Sequence, residues 1–417
     1  MDILLVNKFF FERGGTERYF FSLSRALEES GHRVIHFSMR HPSNLPSPDE
    51  KYFIREKRYD DGAGIRSMLS QGLSFVRSKE AARRIAELVS DHRPQVAHLH
   101  NIYHQITPSI IPVLRQAGVP VVMTLHDYKL ICPNYSLFAR GKYCERCMGG
   151  KFYHAPLVRC NGGSLARSAL LSFESYWQKW TRVYDGVACF LAPSRFLRGR
   201  FLTAGFAPER VIYLPAFVER EDADLPETPA RPESPELPDL PPKYILYFGR
   251  LSGEKGLFTL LTAMQECGGV HLVVAGEGPD RERLQRHVRE NELNVVFTGH
   301  LHYPVLDGVI ARARAVILPS ASPENAPFTV IEAAALGVPV IVSNMGGLPE
   351  LANYFDGIVF PSGNSAALAE AIRELWSDDE RVKHMGRKAA REAHSRFDRA
   401  AHIRELEGIY RRVTDSD

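Results

Sequence analysis

Short apolar runs recur along the whole chain, separated by segments in which apolar residues return every three or four positions. In the first half the runs are Ile3 to Val6, Arg33 to Phe37, Val96 to Leu99, Val119 to Leu125, Val187 to Leu191 and Val211 to Leu214. Rich in β-branched residues and too short for helices, they predict strands. Between them, Thr16 to Glu29 and Ser78 to Ser90 have the amphipathic spacing of helices. Strands alternating with helices predict a parallel sheet with crossover helices. The second half repeats the rhythm at Tyr244 to Phe248, Val270 to Ala275, Val295 to Thr298, Ala315 to Leu318, Val338 to Val342 and Gly357 to Phe360. A doubly wound α/β fold is therefore expected twice.

The join between the halves is LPETPARPESPELPDLPP, Leu225 to Pro242, where prolines alternate with acidic side chains and no apolar periodicity survives. Such composition predicts an extended, semi-rigid linker. The expected division is a domain over 1–218, a proline-rich acidic linker over 219–242 and a second domain over 243–417. Two such domains are expected to face each other across a cleft at the carboxyl ends of their strands. Helical patterns at Ala366 to Trp376, Asp378 to Ser395 and Ala400 to Val413 close the chain and are counted with the second domain, although the sequence does not say whether the last packs on the first or the second.

A length of 417 residues agrees with two cores rather than one. Apolar residues at 44% and charged residues at 24% are globular usage, and a net charge of +3 asks for no nucleic-acid partner. Asp2 precedes the first apolar run and no small-residue cleavage site follows it, so the N-terminus reads as a buried strand rather than a signal peptide. No uninterrupted apolar stretch is long enough for a membrane-spanning helix. Six cysteines in a chain of this length do not resemble a secreted disulfide scaffold, and a cytoplasmic location is expected.

Candidate chemistry collects at strand ends. After Phe248 come Gly249, Arg250, Leu251, Ser252, Gly253, Glu254, Lys255 and Gly256, a glycine-rich turn whose two cations suit a diphosphate. One strand later Ala275, Gly276, Glu277, Gly278 and Pro279 form a second small-residue turn. The stretch PSASPENAPFTVIEAAALGVP places Glu324 after a strand and Glu332 eight residues on, inside an apolar helical pattern. Backbone amides of Asn325, Ala326, Phe328 and Thr329, around Pro327, lie at that helix's start, where anions are favoured. Glu332, read as a buried carboxylate needing donors, suits a ribose diol, or else caps a nearby backbone. In the first half Arg13, Gly14, Gly15 and Thr16 open a helix where backbone amides can approach phosphate.

The order GGTER, LHDY, FGRLSGEKG, AGEGP and ENAPFTVIEAAALGVPV resembles the retaining GT-B glycosyltransferases of family 4 over nearly the whole chain. The resemblance implies an N-terminal Rossmann-like acceptor domain and a C-terminal nucleotide-sugar-binding domain. It implies transfer of a hexosyl unit from a UDP- or GDP-linked sugar to a carbohydrate or lipid-linked hydroxyl, as in bacterial cell-surface polysaccharide or glycolipid synthesis. Arg250 and Lys255 would neutralise the donor diphosphate, Glu332 would hold the ribose, Glu324 the donor sugar, and Gly15 a phosphate. His126, in the Leu125-His126-Asp127 turn, resembles the family histidine that reaches the donor sugar. No cofactor is required for transfer, because protein cations take the place of a metal. Many relatives have Gly-Phe after the first glutamate, where this chain has Asn325 and Ala326.

An insertion over about 130–163 carries Cys132, Cys144, Cys147 and Cys160, which fit a structural Zn²⁺ or stand as unbound thiols, with His154 as a possible substitute ligand. From Ser164 to Tyr184, Leu170, Leu171, Phe173, Trp177 and Trp180 accompany Arg167, Lys179 and Arg182. That helix either lies in the core or makes a peripheral contact with the inner face of a membrane, its apolar residues being spread over more than one face. Rival readings are a nucleotide-sugar epimerase of related fold and a non-catalytic nucleotide-binding protein. A dinucleotide-dependent dehydrogenase is disfavoured, since neither half has G-x-G-x-x-G with an acidic residue about twenty positions on.

Overall fold

The computed structural model describes residues 1–57, 75–218 and 239–415, so the proline-rich join lies outside the described residues except at its last few positions. The chain divides into two compact units. Residues 1–140, 144–216 and 399–417 make the first; 141–143 and 217–398 make the second.

The first unit is built on a six-stranded parallel sheet of Asp2–Val6, Arg33–Phe37, Val96–Leu99, Val121–Thr124, Cys189–Ala192 and Val211–Tyr213. Numbered along the chain, the strands lie in the spatial order second, first, third, fourth, fifth, sixth. Ile3 is opposite Val34 on one side and Val96 on the other, so the opening strand is central. Central parallel strands bury both faces, which is why they read as unbroken apolar runs. Ile3, Leu4, Leu5 and Val6 are all fully buried. Each such aliphatic side chain contributes about 1.5–3 kcal/mol relative to exposure.

Helix Lys79–His92 begins at Ser78, whose side chain accepts from the Ala81 amide, a cap worth about 1 kcal/mol. The last helix, Arg399–Thr414, belongs to this first unit and not, as the sequence reading had it, to the second. Ile403, Leu406, Ile409 and Tyr410 are its buried face. Tyr410 meets His98 (Oη to Nδ1 2.7 Å), and His402 meets Tyr19 (Nε2 to Oη 3.0 Å).

The second unit repeats the plan with Ile245–Phe248, Leu272–Ala275, Val295–Gly299, Val316–Leu318, Val340–Ser343 and Ile358–Phe360. Their spatial order is third, second, first, fourth, fifth, sixth, again all parallel. Leu246 pairs with Val273 on one side and Val316 on the other. The order reverses between the first and fourth strands, and ligands of open α/β sheets bind beyond the carboxyl ends at such a point. Two loops meet there, 249–256 after the first strand and 319–327 after the fourth. In the first unit the reversal falls between the first and third strands, beyond which lie Asn7 to Gly15 and His100 to His104.

The zinc site expected of the insertion's four cysteines is not supported. Among the described residues no three side chains of His, Cys, Asp or Glu come together as ligands. Burial pushes the thiols of Cys132 and Cys147 up, to about 11 and about 12, and for Cys147 the neighbouring thiols of Cys132, Cys160 and Cys144 add to it. Order in the insertion comes from other contacts. The Asn134 amide donates to the carbonyls of Phe138 (3.2 Å) and Cys160 (3.1 Å), and Lys129 Nζ donates to the Pro133 carbonyl (3.0 Å). Cys147, Phe152 and Ala155 form a small apolar cluster against which Cys160 and Tyr176 pack.

Candidate active site

In the second unit, the loop after Phe248 is held by glycines where no side chain fits. Gly256 sits at φ +72°, and a Cβ there would lie 1.9 Å from the Pro319 carbonyl oxygen. Gly276, at φ +139°, would place a Cβ 2.0 Å from the oxygen of Gly249. The turns after the first, second and fourth strands are therefore pressed backbone to backbone. Amide bonds tie them further. Leu251 N donates to Glu277 O (2.9 Å), Ala321 N to Glu254 O (2.8 Å), and Gly347 N to Glu324 O (2.8 Å).

This packing puts Lys255 beside Glu324. Lys255 Nζ donates to Glu324 Oε1 at 2.7 Å, and Ser320 Oγ donates to the same oxygen at 2.6 Å. Both partners of the ion pair are mostly covered, with side chains 24% and 13% exposed. Water screens such a pair poorly, so the ammonium is held at a fixed place rather than waving in solvent. Arg250 lies five residues earlier on the same turn and is exposed; its carbonyl accepts from Tyr247 Oη (2.7 Å). Gly249, at φ +144°, provides the sharp exit from the strand.

Helix Phe328–Ala335 starts at Pro327 with no side-chain cap on its first turn, leaving half-buried backbone around Asn325, Ala326 and Thr329 beside Glu324. The start of a helix favours an anion. Glu332 departs from the sequence reading. It is half-buried rather than buried, because Val330, Ile331, Ala333 and Ala334 take the inward faces of its helix. Its Oε2 accepts from Tyr303 Oη at 2.7 Å. Glu277 is exposed, and its carboxylate is engaged by Arg281, so its side chain is not gathered with Lys255 and Glu324.

In the first unit Gly14 precedes helix Gly15–Glu29 without a side-chain cap, and both glycines are exposed. His126 follows the fourth strand, and its Nε2 lies 2.9 Å from His100 Nδ1. His100 in turn stacks on His98, with ring centroids 4.4 Å apart. Burial pulls His98 and His126 down to about 3, so these rings are neutral at physiological pH. Beside them burial pushes the Asp127 carboxyl up to about 6, while it lowers the Lys8 ammonium against the pull of Asp127. Behind this edge Glu174 is fully buried, and Lys129 (2.7 Å) and His104 (3.1 Å) hold its carboxyl down to about 2 against desolvation.

Sequence reasoning overlooked Ser320 and Tyr303, which hold the two glutamates, and the pair His98 and His100. The His-Leu-His alternation of a buried strand signals two rings on one face, and it was present in the sequence. Ser320 and Tyr303 carry no comparable mark, because hydroxyl residues in loops are ordinary.

Two doubly wound units, one with a paired cation and an open helix start at its switch point, define an α/β protein of the nucleotide-binding kind. Residues 232–392 match the family model described as "Glycosyl transferases group 1", and residues 14–216 match "Glycosyl transferase 4-like domain". The chain belongs to this GT-B family of glycosyltransferases. It is similar to a glycogen synthase of Mycobacterium tuberculosis, 27% identical over 92% of this chain and 88% of the relative. It is also similar to a GDP-mannose-dependent phosphatidylinositol monomannoside mannosyltransferase of the same organism, 30% identical over 56% of this chain and 66% of that one. Among solved structures, sucrose-phosphate synthase from Thermosynechococcus elongatus superposes with a TM-score of 0.71 at 18% identity, covering 100% of both chains. HepE from Anabaena, solved with UDP and glucose, gives 0.67 at 16% identity, covering 98% of this chain and 99% of that one. At such identities the structural likeness concerns the fold.

Proposed function

We propose that this glycosyltransferase moves a hexosyl group from a UDP- or GDP-linked sugar to a hydroxyl of a carbohydrate or lipid-linked acceptor, with retention of anomeric configuration. The observation that carries the reading is the Lys255–Glu324–Ser320 constellation beside an uncapped helix start at the switch point of the second sheet. Arg250 and Lys255 bind the diphosphate, Glu324 and the amides of Asn325, Ala326, Phe328 and Thr329 the sugar and its phosphate, and Glu332 the ribose. Gly249 and the 276–278 turn give the nucleotide close access to backbone. Gly14 and Gly15 offer backbone amides to phosphate.

In the proposed transfer the acceptor oxygen bonds to the anomeric carbon on the face from which the diphosphate leaves. The bond from that carbon to the phosphate oxygen breaks, and the acceptor's proton passes to the departing oxygen. Negative charge then grows on the leaving group, where a fixed ammonium and helix amides stabilise it most. No metal or organic cofactor is assigned to the step. His126 acts as a neutral ring that hydrogen-bonds a sugar hydroxyl, because burial denies it a charge.

Cysteines that form no disulfide among the described residues support a reducing, cytoplasmic setting. The mannosyltransferase relative supports cell-surface polysaccharide or glycolipid synthesis as the pathway class. Incubating the chain with UDP- and GDP-hexoses and a set of acceptors, then reading the product's anomeric coupling by NMR, tests the reading. An α-linked product from an α-linked donor is expected; inversion, or an altered sugar nucleotide formed without acceptor, would refute it.

A further inference from the structure

Helix Leu165–Trp180 is packed the opposite way to an ordinary surface helix. Its buried face is Ser168, Leu171, Ser172, Glu174, Ser175 and Gln178. Those polar groups are satisfied inside: Ser172 Oγ donates to the Phe152 carbonyl (2.9 Å), and Gln178 Nε2 to Glu174 (3.1 Å). Its outward stripe is Leu165, Ala169, Phe173, Trp177 and Trp180, spaced by four, four, four and three residues. Leu165 is 53% exposed, Phe173 45% and Trp180 70%. Of the apolar residues that the sequence reading spread over several faces, Phe173, Trp177 and Trp180 face solvent, while Leu171 is buried and Leu170 packs beside it against Phe75 and Val76.

The stripe is part of a larger face. Tyr176 stacks on Trp180 with centroids 5.6 Å apart, and the Tyr176 hydroxyl accepts from the Tyr153 amide (3.2 Å). Tyr153 and Leu157, on the neighbouring helix His154–Val158, are themselves exposed, Leu157 by 70%. Contiguous exposed aromatic surface of this kind marks an interaction site.

Charge identifies the occupant. From Arg140 to Arg182 the chain carries eight lysines and arginines against two carboxylates, Glu145 and Glu174. Both carboxylates are spent internally, Glu145 on Arg200 (2.6 Å) and Glu174 on Lys129 (2.7 Å). Lys151 and Lys179 are exposed, and Lys179 Nζ lies against Gly150, next to Lys151. Aromatic rings beside exposed lysines fit the headgroup zone of an anionic bilayer. A second copy of the chain fits less well, since a two-fold contact would set these cations against themselves.

We propose that the outward face of Leu165–Trp180, with Tyr153 and Leu157, is a docking surface for anionic lipid bilayers. The rings sit at headgroup depth and Lys151 and Lys179 contact lipid phosphates. The surface adds a location to the transferase reading without depending on it.

Vesicles of phosphatidylcholine, with or without phosphatidylglycerol, are mixed with the full chain, and binding is read by co-sedimentation and by quenching of tryptophan fluorescence with brominated lipid. Trp177 and Trp180 are two of three tryptophans, and Trp376, in the second unit, is the internal control. Binding is expected only with phosphatidylglycerol, with quenching that Trp177→Ser/Trp180→Ser abolishes. Lys151→Glu/Lys179→Glu should weaken partitioning by about tenfold or more. Circular dichroism and melting temperature of both variants should match the parent, since all four side chains are exposed. Absence of binding to phosphatidylglycerol vesicles, or binding equal in the parent and both variants, would overturn the proposal. So would a concentration-dependent dimer that the tryptophan substitutions dissolve.

Discussion

Replacing Lys255 by alanine removes the ammonium paired with Glu324 at the second unit's switch point. In the structure it is 2.7 Å from Glu324, in a position where solvent reaches only part of either side chain. A hydrogen bond to a charged group is worth about 1.5–3 kcal/mol, and removing a donor aimed at developing charge costs about 3–4 kcal/mol in the transition state. Taking about 3 kcal/mol, Lys255→Ala should lower kcat/KM for donor about 150-fold. Glu324→Gln keeps the Ser320 hydrogen bond while discarding the charge that positions the ammonium. The two changes share one contact, so the double variant should cost about 1–2 kcal/mol less than the sum of the singles. The assay is nucleotide release at limiting donor, with circular dichroism and thermal melting as controls for folding. A Lys255→Ala enzyme within about threefold of the parent, or strictly additive losses, would refute the assignment of this pair to the donor site.

Gly256→Ala should force the Lys255 turn away from Pro319, since its Cβ would meet the carbonyl oxygen at 1.9 Å; about 2 kcal/mol of strain corresponds to a melting-temperature fall of about 4–8 °C, with donor affinity lowered in parallel. Glu332→Gln should weaken donor or free nucleoside diphosphate binding about tenfold by calorimetry, while Tyr303→Phe, which removes only the phenol now bonded to Glu332, should leave that affinity equal or improved. Acid should unfold the first unit early. Burial holds His98 at about 3 and His402 at about 4, so as pH falls below about 6.5 the unfolded chain binds protons that the folded chain refuses, and stability drops across that window. At pH near 5 each ring costs about 2 kcal/mol, and Asp127, raised to about 6, returns roughly 1 kcal/mol in the opposite sense. Urea midpoints at neutral pH and near pH 5 measure the difference; equal midpoints would contradict it.

Both sheets were legible because parallel strands buried on two faces must be apolar at every position, as in Ile245–Phe248, and because loops at strand ends carry their chemistry in consecutive residues. Lys255 and Glu324 were legible for the second reason. Glu332 was legible as a polar residue in an apolar helix, but its half-exposed position depends on how that helix is rotated. The last helix shows a similar gap. Ile403, Leu406 and Tyr410 state that one face is buried, not which unit buries it. The partner is named by His98 and Tyr19, hundreds of residues away.

Helix Leu165–Trp180 shows the same limit from the other side. Periodicity assigns an interior to whichever stripe is most apolar, and here that rule fails for an identifiable reason. Glu174 sits in the helix paired with Lys129 and His104, and both are anchored in the first unit behind its sheet's carboxyl edge. A carboxylate left buried without them would cost several kcal/mol, more than one exposed aromatic gains by burial. Turning the aromatic stripe inward would carry Glu174 outward, away from Lys129, and leave the buried ammonium of Lys129 without a carboxylate. The ion pair therefore sets the rotation of the helix, and the rotation brings Phe173, Trp177 and Trp180 to the surface.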